Sequence, residues 1–302
     1  MIKAIVVGLD GSRESLAAAD WAAREALRRG LPLRLVHAWE GLPNDEEPAR
    51  LPELRVPQYW ARRVVRGAME RLSERYPQVY ISAEQIKRPP VPTLVSEAET
   101  AELLVLGNQG LGPLSGFFAG SVAMAALAQV RRPVVLVRAG CSEADEHLPL
   151  PDGRPGSRSR TPCRDVALAV DLRHECGPLF DFAFGAAQYR AAPLRVFHVW
   201  HLPSGHGGAE RDGGAQAQRA VREEDELAAV LAPWREKFPT VVVRAQVVNG
   251  RPVHEVVEAA RGAGLLVVGR QLRHTVVGSH TGRVAHMAIH HVSCPVAVVA
   301  HE

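Results

Sequence analysis

The sequence predicts an α/β protein made of two tandem, doubly wound domains, each built on a five-stranded parallel sheet. Three observations lead there. Continuous apolar runs such as IKAIVVGL alternate with stretches of helical periodicity, the pattern of parallel strands covered by helices on both faces. The same order of elements occurs twice in the chain. The composition, 46% hydrophobic and 23% charged over 302 residues, suits two ordinary globular domains.

The duplication is read from matching pieces at a constant offset. Asp10 closes AIVVGLD, and Asp171 closes VALAVD about 161 positions later. LRLVHAW (33–39) and LRVFHVW (194–200) keep that offset, as do Pro32 and Pro193. After a one-residue shift, LLVLG (103–107) matches LLVVG (265–269), and RPVVLV (132–137) matches CPVAVV (294–299).

In the first copy, IKAIVVGL is a buried-type strand. The stretch Ser12–Arg29 then carries Leu16, Ala19, Ala23, Ala26 and Leu27 at helical spacing. Ser12 is placed to cap this helix and Gly30 to stop it. Strands follow near 33–38, 79–86, 103–107 and 134–138, with helices near 57–76, 91–101 and 120–130 between them. The expected domains are 1–139 and 165–302. The segment 140–164, rich in Gly, Pro, Ser and charge, reads as a flexible linker between them. A polar, glycine-rich stretch at 201–216 reads as a mobile loop after a strand.

Several classes of function are disfavoured. No apolar run approaches the roughly 18–20 residues that span a bilayer, and MIKAIVVGLDGS reads as a first strand, not a signal peptide. Cys141, Cys163, Cys176 and Cys294 show no C-x-x-C spacing, which fits a reducing cytoplasm without a disulfide framework or structural zinc. A net charge of +3 without a basic stripe does not suggest nucleic acid.

Open parallel sheets bind ligands at the carboxyl ends of their strands, where strand order reverses. In the order 3-2-1-4-5 that crevice lies between the first and fourth strands. Asp10 ends the first strand. After the fourth comes GNQGLGPLSGFFAGS (107–121), with five glycines in fifteen residues. Glycine allows a ligand to approach backbone N–H groups closely. Gly120-Ser121 then opens AMAALAQ, a helix whose start offers unpaired N–H donors and partial positive charge to an anion. The run contains no Lys or Arg, so it is not a Walker-type loop. A glycine-rich surface loop is the alternative reading of the glycines alone.

These residues together resemble the universal stress protein family, in the tandem form typical of actinobacteria. Gly107, Gly110, Gly120 and Ser121 match that family's G-x2-G-x9-G-[ST] signature, and VGLDGS, LVHAW and RPVVLV match its other landmarks. The resemblance implies an adenine nucleotide alpha hydrolase-like fold with ATP in each competent domain, with or without Mg. It implies that Asp10 contacts the nucleoside, that the Ala38 backbone borders the adenine, and that Gly107 and Gly110 lie against ribose and phosphates. Gly120 and Ser121 would hold phosphate. The first copy departs from the family pattern at Arg88-Pro89-Pro90, where a Gly-x-Pro turn is common, and at Asn108-Gln109, where a basic residue is common. In the second copy Asp171 survives, but Leu172-Arg173 replaces Gly11-Ser12. Gly269 is followed by Leu272 instead of glycine, and Gly282 by Arg283. ATP is therefore expected mainly in the first domain.

His286 and His290 have an i, i+4 spacing that could clamp a metal, but no carboxylate lies nearby in sequence, so no metal site is assigned. His37 and His198 recur at equivalent strand ends and read as structural. The nearly uncharged strands VVLVR (134–138) and VAVVA (296–300) need partners if they are sheet edges. They are expected to pair internally as a pseudo-dimer, with homodimerisation left open. The expected function is a cytoplasmic ATP-binding regulator acting on an unidentified protein partner, not an enzyme. A nucleotide-free interaction scaffold and a weak ATP hydrolase are the alternatives.

Overall fold

The computed structural model describes residues 3–40, 56–109, 120–157, 160–200, 213–272 and 281–302. The chain divides into two compact units, Met1–Ser142 and Glu143–Glu302. The first unit contains β1 (Ile5–Gly8), α1 (Arg13–Arg29), β2 (Leu33–Trp39), α2 (Val56–Arg75) and β3 (Ile81–Lys87). It continues with α3 (Pro90–Thr100), β4 (Leu103–Asn108), α4 (Ser121–Gln129) and β5 (Val134–Arg138). Its strands run in the order β3-β2-β1-β4-β5, and the pairs described are parallel. Ile5, Val7, Leu33, Leu35, Leu103, Leu104 and Val105 are fully buried at its centre, as expected for strands covered on both faces.

The second unit begins with a short α5 (Glu143–Glu146). It continues with β6 (Val166–Val170), α6 (Gly177–Arg190), β7 (Leu194–Trp200), α7 (Gly213–Lys237), β8 (Val243–Asn249), α8 (Pro252–Ala259), β9 (Leu265–Gln271), α9 (Arg283–His291) and β10 (Val296–His301). Its order is β10-β9-β6-β7-β8, again with parallel pairs. Phe180 and Phe184 of α6 stack on Trp234 of α7 at 5.7 and 6.1 Å between ring centroids.

Two expectations need correction. The segment expected to be a flexible linker carries local structure and joins the second unit. His147 bridges Cys163 in antiparallel fashion. Leu148 N donates to Pro162 O (2.9 Å) and Arg164 N to Glu146 O (2.8 Å). Glu146 and His147 are buried, and the His147 ring meets the Thr161 carbonyl at 2.9 Å. Composition misled here because this loop is closed by backbone hydrogen bonds and buried polar side chains, not by a hydrophobic core. Of the stretch expected as a loop at 201–216, residues 201–212 lie outside the described residues, and those from Gly213 on already belong to α7.

The helix stop in the first unit works as the sequence suggests: Gly30 adopts φ 65° and its N–H caps Ala26 O. In the second unit the equivalent place is held by Ala191 at φ 47°, the one non-glycine residue with positive φ among the described residues. A Cβ in this left-handed region costs roughly 1–2 kcal/mol. Ala191 is exposed, so little packing offsets the strain. Ala191→Gly is expected to stabilise the second unit by about 1 kcal/mol, seen as a rise of roughly 2–4 °C in its melting temperature.

Candidate functional site

In the first unit, a cavity of about 390 Å³ opens at the carboxyl ends of β1, β2 and β4. Asp10, Ala38, Gly107, Gly120 and Ser121 all line it, although they come from stretches far apart in sequence. Gly8, Ser12, Glu14, Ser15 and Gln109 join them, with Val36, Pro90 and Leu94 on the apolar wall. Gly110 lies outside the described residues.

The loop after β1 is built around the Asp10 carboxylate. Its Oδ1 accepts the Ser12 amide (2.9 Å) and the Ser12 hydroxyl (2.5 Å). Gly11 between them has φ +84°, a conformation that side chains with a Cβ avoid. Ser12 then caps α1, its Oγ accepting from Ser15 N at 3.1 Å. Burial pushes the Asp10 carboxyl up, but hydrogen bonds from Ser12 and Ser15 together outweigh it and hold the group below its ordinary range.

The two signature glycines described here have different reasons. A Cβ on Gly107 would lie 2.6 Å from Ser15 N and 2.7 Å from the Glu14 carbonyl carbon. Glycine there lets the end of β4 approach the start of α1, so its first role is packing and not contact with a ligand. Gly120 is different: it has φ −40°, and a Cβ on it would meet nothing within 4 Å among the described residues. It precedes Ser121, the first residue of α4, whose opening amides have no intrahelical partner. The Arg88-Pro89-Pro90 departure leaves the α3 start intact, with Pro90 at the first turn as Pro252 is in α8.

The second unit keeps Asp171 but is altered in the two residues that follow it. Leu172 stands in place of Gly11 and has no positive φ. Arg173, in place of Ser12, grips Asp171 with two bonds, Nε to Oδ1 (2.8 Å) and Nη2 to Oδ2 (2.6 Å). That pair, against the opposing effect of burial, holds the Asp171 carboxyl below its ordinary range. The cap is lost, and α6 starts only at Gly177 behind Cys176, which makes no side-chain cap bond. Burial, helped by the charge of Asp171, pushes the Cys176 thiol up to about 11, so it is not a nucleophile at neutral pH.

Further substitutions, overlooked in the sequence, add volume on the face that the first unit leaves open. Gly8 pairs with Val36 in the first unit, and Ala169 with Phe197 in the second. Val199 stands where the first unit has Ala38. These exchanges were visible in the repeat, but only strand register shows that they share one face. Gly282, before α9, has φ +77°, so backbone conformation is enough to require glycine there. A cavity of about 850 Å³ in the second unit takes in Asp171 and Arg173 with Phe180, Val230 and Trp234. It is walled by α6 and α7, the counterparts of α1 and α2, not of α3 and α4.

His37 and His198 have the structural role expected of them: each ring Nδ1 bonds the carbonyl preceding the aspartate, at 2.7 Å from Leu9 O and 3.0 Å from Val170 O. His286 and His290 pack edge to face with centroids 4.5 Å apart. Among the described residues, no group of three or more His, Cys, Asp or Glu is placed to hold a metal.

Two doubly wound units with a crevice at the strand-order reversal define the class, and comparison with known proteins gives the family. A model described as the Universal stress protein family matches residues 1–138 and 163–300. The chain is 31% identical over 312 residues to universal stress protein Rv2005c of Mycobacterium tuberculosis, covering 97% of this chain and 96% of the relative. It is 31% identical over 299 residues to universal stress protein Rv2623 of the same species, covering 97% and 95%. A solved universal stress protein from Archaeoglobus fulgidus shares the fold at TM-score 0.65 and 15% identity, over 98% of each chain. The chain belongs to the universal stress protein family and carries its domain twice. No described helix is long and apolar enough to cross a membrane.

The Asp10 turn has a pH signature. Its carboxyl has a lower pKa folded than unfolded, so ionisation favours the fold. That contribution is complete above the ordinary value of 3.8 and is lost as pH falls through the folded value. Wild type should exceed Asp10→Asn in urea midpoint at pH 7, and the gap should close on acidification below that range.

Proposed function

We propose that the first unit binds ATP in its crevice and that occupancy of this site is a regulatory signal read by a protein partner. The observation that carries this reading is the convergence of Asp10, Ala38, Gly107, Gly120 and Ser121 on one cavity at the strand-order reversal. Asp10 uses Oδ1 for its turn, leaving Oδ2 to accept from a ribose hydroxyl. The α4 start and Ser121 supply donors for phosphate. With Asp10 and Glu14 the only carboxylates among the described lining residues, magnesium would be held mostly by the nucleotide's own phosphates.

The described lining contains no lysine or arginine. Phosphoryl transfer needs strong neutralisation of charge on the transferring group, so the site favours holding a nucleotide over turning it over. The clamped Asp171, the late start of α6 and the bulk of Phe197 and Val199 support a second unit that does not bind ATP. Binding would act on a partner through its differential affinity for two arrangements of the protein.

Denaturing the purified protein should release adenine nucleotide. ATP at 100 times its Kd should add about 2.7 kcal/mol of stability, measured with and without magnesium. Gly120→Val meets no described neighbour and needs no forbidden φ, so it should keep its melting temperature while losing the shift on adding ATP. Absence of released nucleotide together with no ATP-induced shift in the wild type would leave an interaction scaffold as the better reading.

A further inference from the structure

The β1–β2 ladder and its counterpart β6–β7 both finish with a histidine ring on the carbonyl before the aspartate. Pairing runs from Ile5↔Leu33 to Gly8↔Val36, and Leu9 N donates to Val36 O at 2.8 Å. In a continuing parallel ladder, the Leu9 carbonyl would next accept from the Ala38 amide. It is met instead by the His37 ring, with Nδ1 at 2.7 Å. The second unit repeats this with His198 and Val170 O at 3.0 Å.

The exchange has two consequences at the crevice. Backbone groups alternate sides along a parallel strand, so Ala38 shares the β1-facing side with Val36. The β1 pairing stops at Val36, so among the described residues the Ala38 N–H and C=O have no β1 partner and face the cavity that Ala38 lines. The carbonyl just before Asp10 is also pinned to β2, which fixes where the Asp10 turn begins.

We infer that His37 is a positioning residue of the nucleotide crevice: its imidazole replaces the last ladder bond, anchors the Asp10 turn and frees the Ala38 backbone for the edge of a base. The second role rests on the nucleotide reading of the crevice, whereas anchoring the turn does not. A carbonyl accepts only from an N–H, so His37 must carry its proton on Nδ1. Asparagine can offer an amide N–H near the Nδ1 position, whereas glutamine carries its amide one carbon further out. His198 provides an internal control, since its Nε2 also meets Glu223 of α7 at 3.2 Å.

The full chain without nucleotide gives the first test. Hydrogen exchange at the Ser12 and Ser15 amides should speed about tenfold in His37→Ala, the scale of one neutral hydrogen bond, and stay near wild type in His37→Asn. Nitrogen NMR should find neutral His37 as the Nδ1–H tautomer. Unchanged exchange in His37→Ala, or an Nε2–H tautomer, overturns the inference. ATP calorimetry gives the second test: affinity should fall about tenfold in His37→Ala, be restored by Asn but not Gln, and be unaffected by His198→Ala. Rescue by Gln equal to that by Asn also overturns it. If wild type binds no ATP while the exchange and tautomer results hold, the anchoring role stands and the nucleotide reading alone falls.

Discussion

The Asp10 carboxylate closes a turn on the Ser12 amide and hydroxyl, and Gly11 supplies the positive φ that the turn requires. Much of the crevice depends on this contact. It sets where α1 begins, because the residue that bonds Asp10 is also the helix cap. It places Ser15 beneath Gly107, which has no room for a Cβ. The His37 ring bonds the carbonyl just before Asp10, at the end of β1.

The second unit serves as a natural variant of that constraint within the same molecule. Replacing Gly11-Ser12 by Leu172-Arg173 removes both the permissive residue and the cap. The fold survives because β6, β7 and β9 keep their register and their buried apolar side chains. What changes is local: the helix starts late, the aspartate is neutralised by its neighbour, and a cavity opens against α6 and α7. Sheet packing and site geometry are thus separable in this fold, which is how a duplicated domain can lose one while keeping the other.

The elements were legible because buried parallel strands and amphipathic helices leave strong periodic signals. Asp10, Gly107, Gly120 and Ser121 were legible as a set, but not the different reasons for the two glycines. Gly107 answers to the backbone of α1, a neighbour that no local pattern reveals, whereas among the described residues nothing demands glycine at position 120. Phe197 and Val199 were overlooked because side-chain bulk matters only once register places it on a particular face. The closed loop around His147 and Cys163 escaped because backbone hydrogen bonds leave no mark on composition.

The bidentate grip of Arg173 on Asp171 has a consequence for how the whole chain can respond. A carboxylate satisfied on both oxygens from within its own loop gains little by exchanging that partner for a diffusing one. On the proposed reading, in which only the first unit takes a nucleotide, occupancy per chain would follow a simple saturation curve with no second site to sharpen it. Such a molecule would report concentration as a dimmer does, by degrees, and any abruptness in the response would have to come from what it touches next.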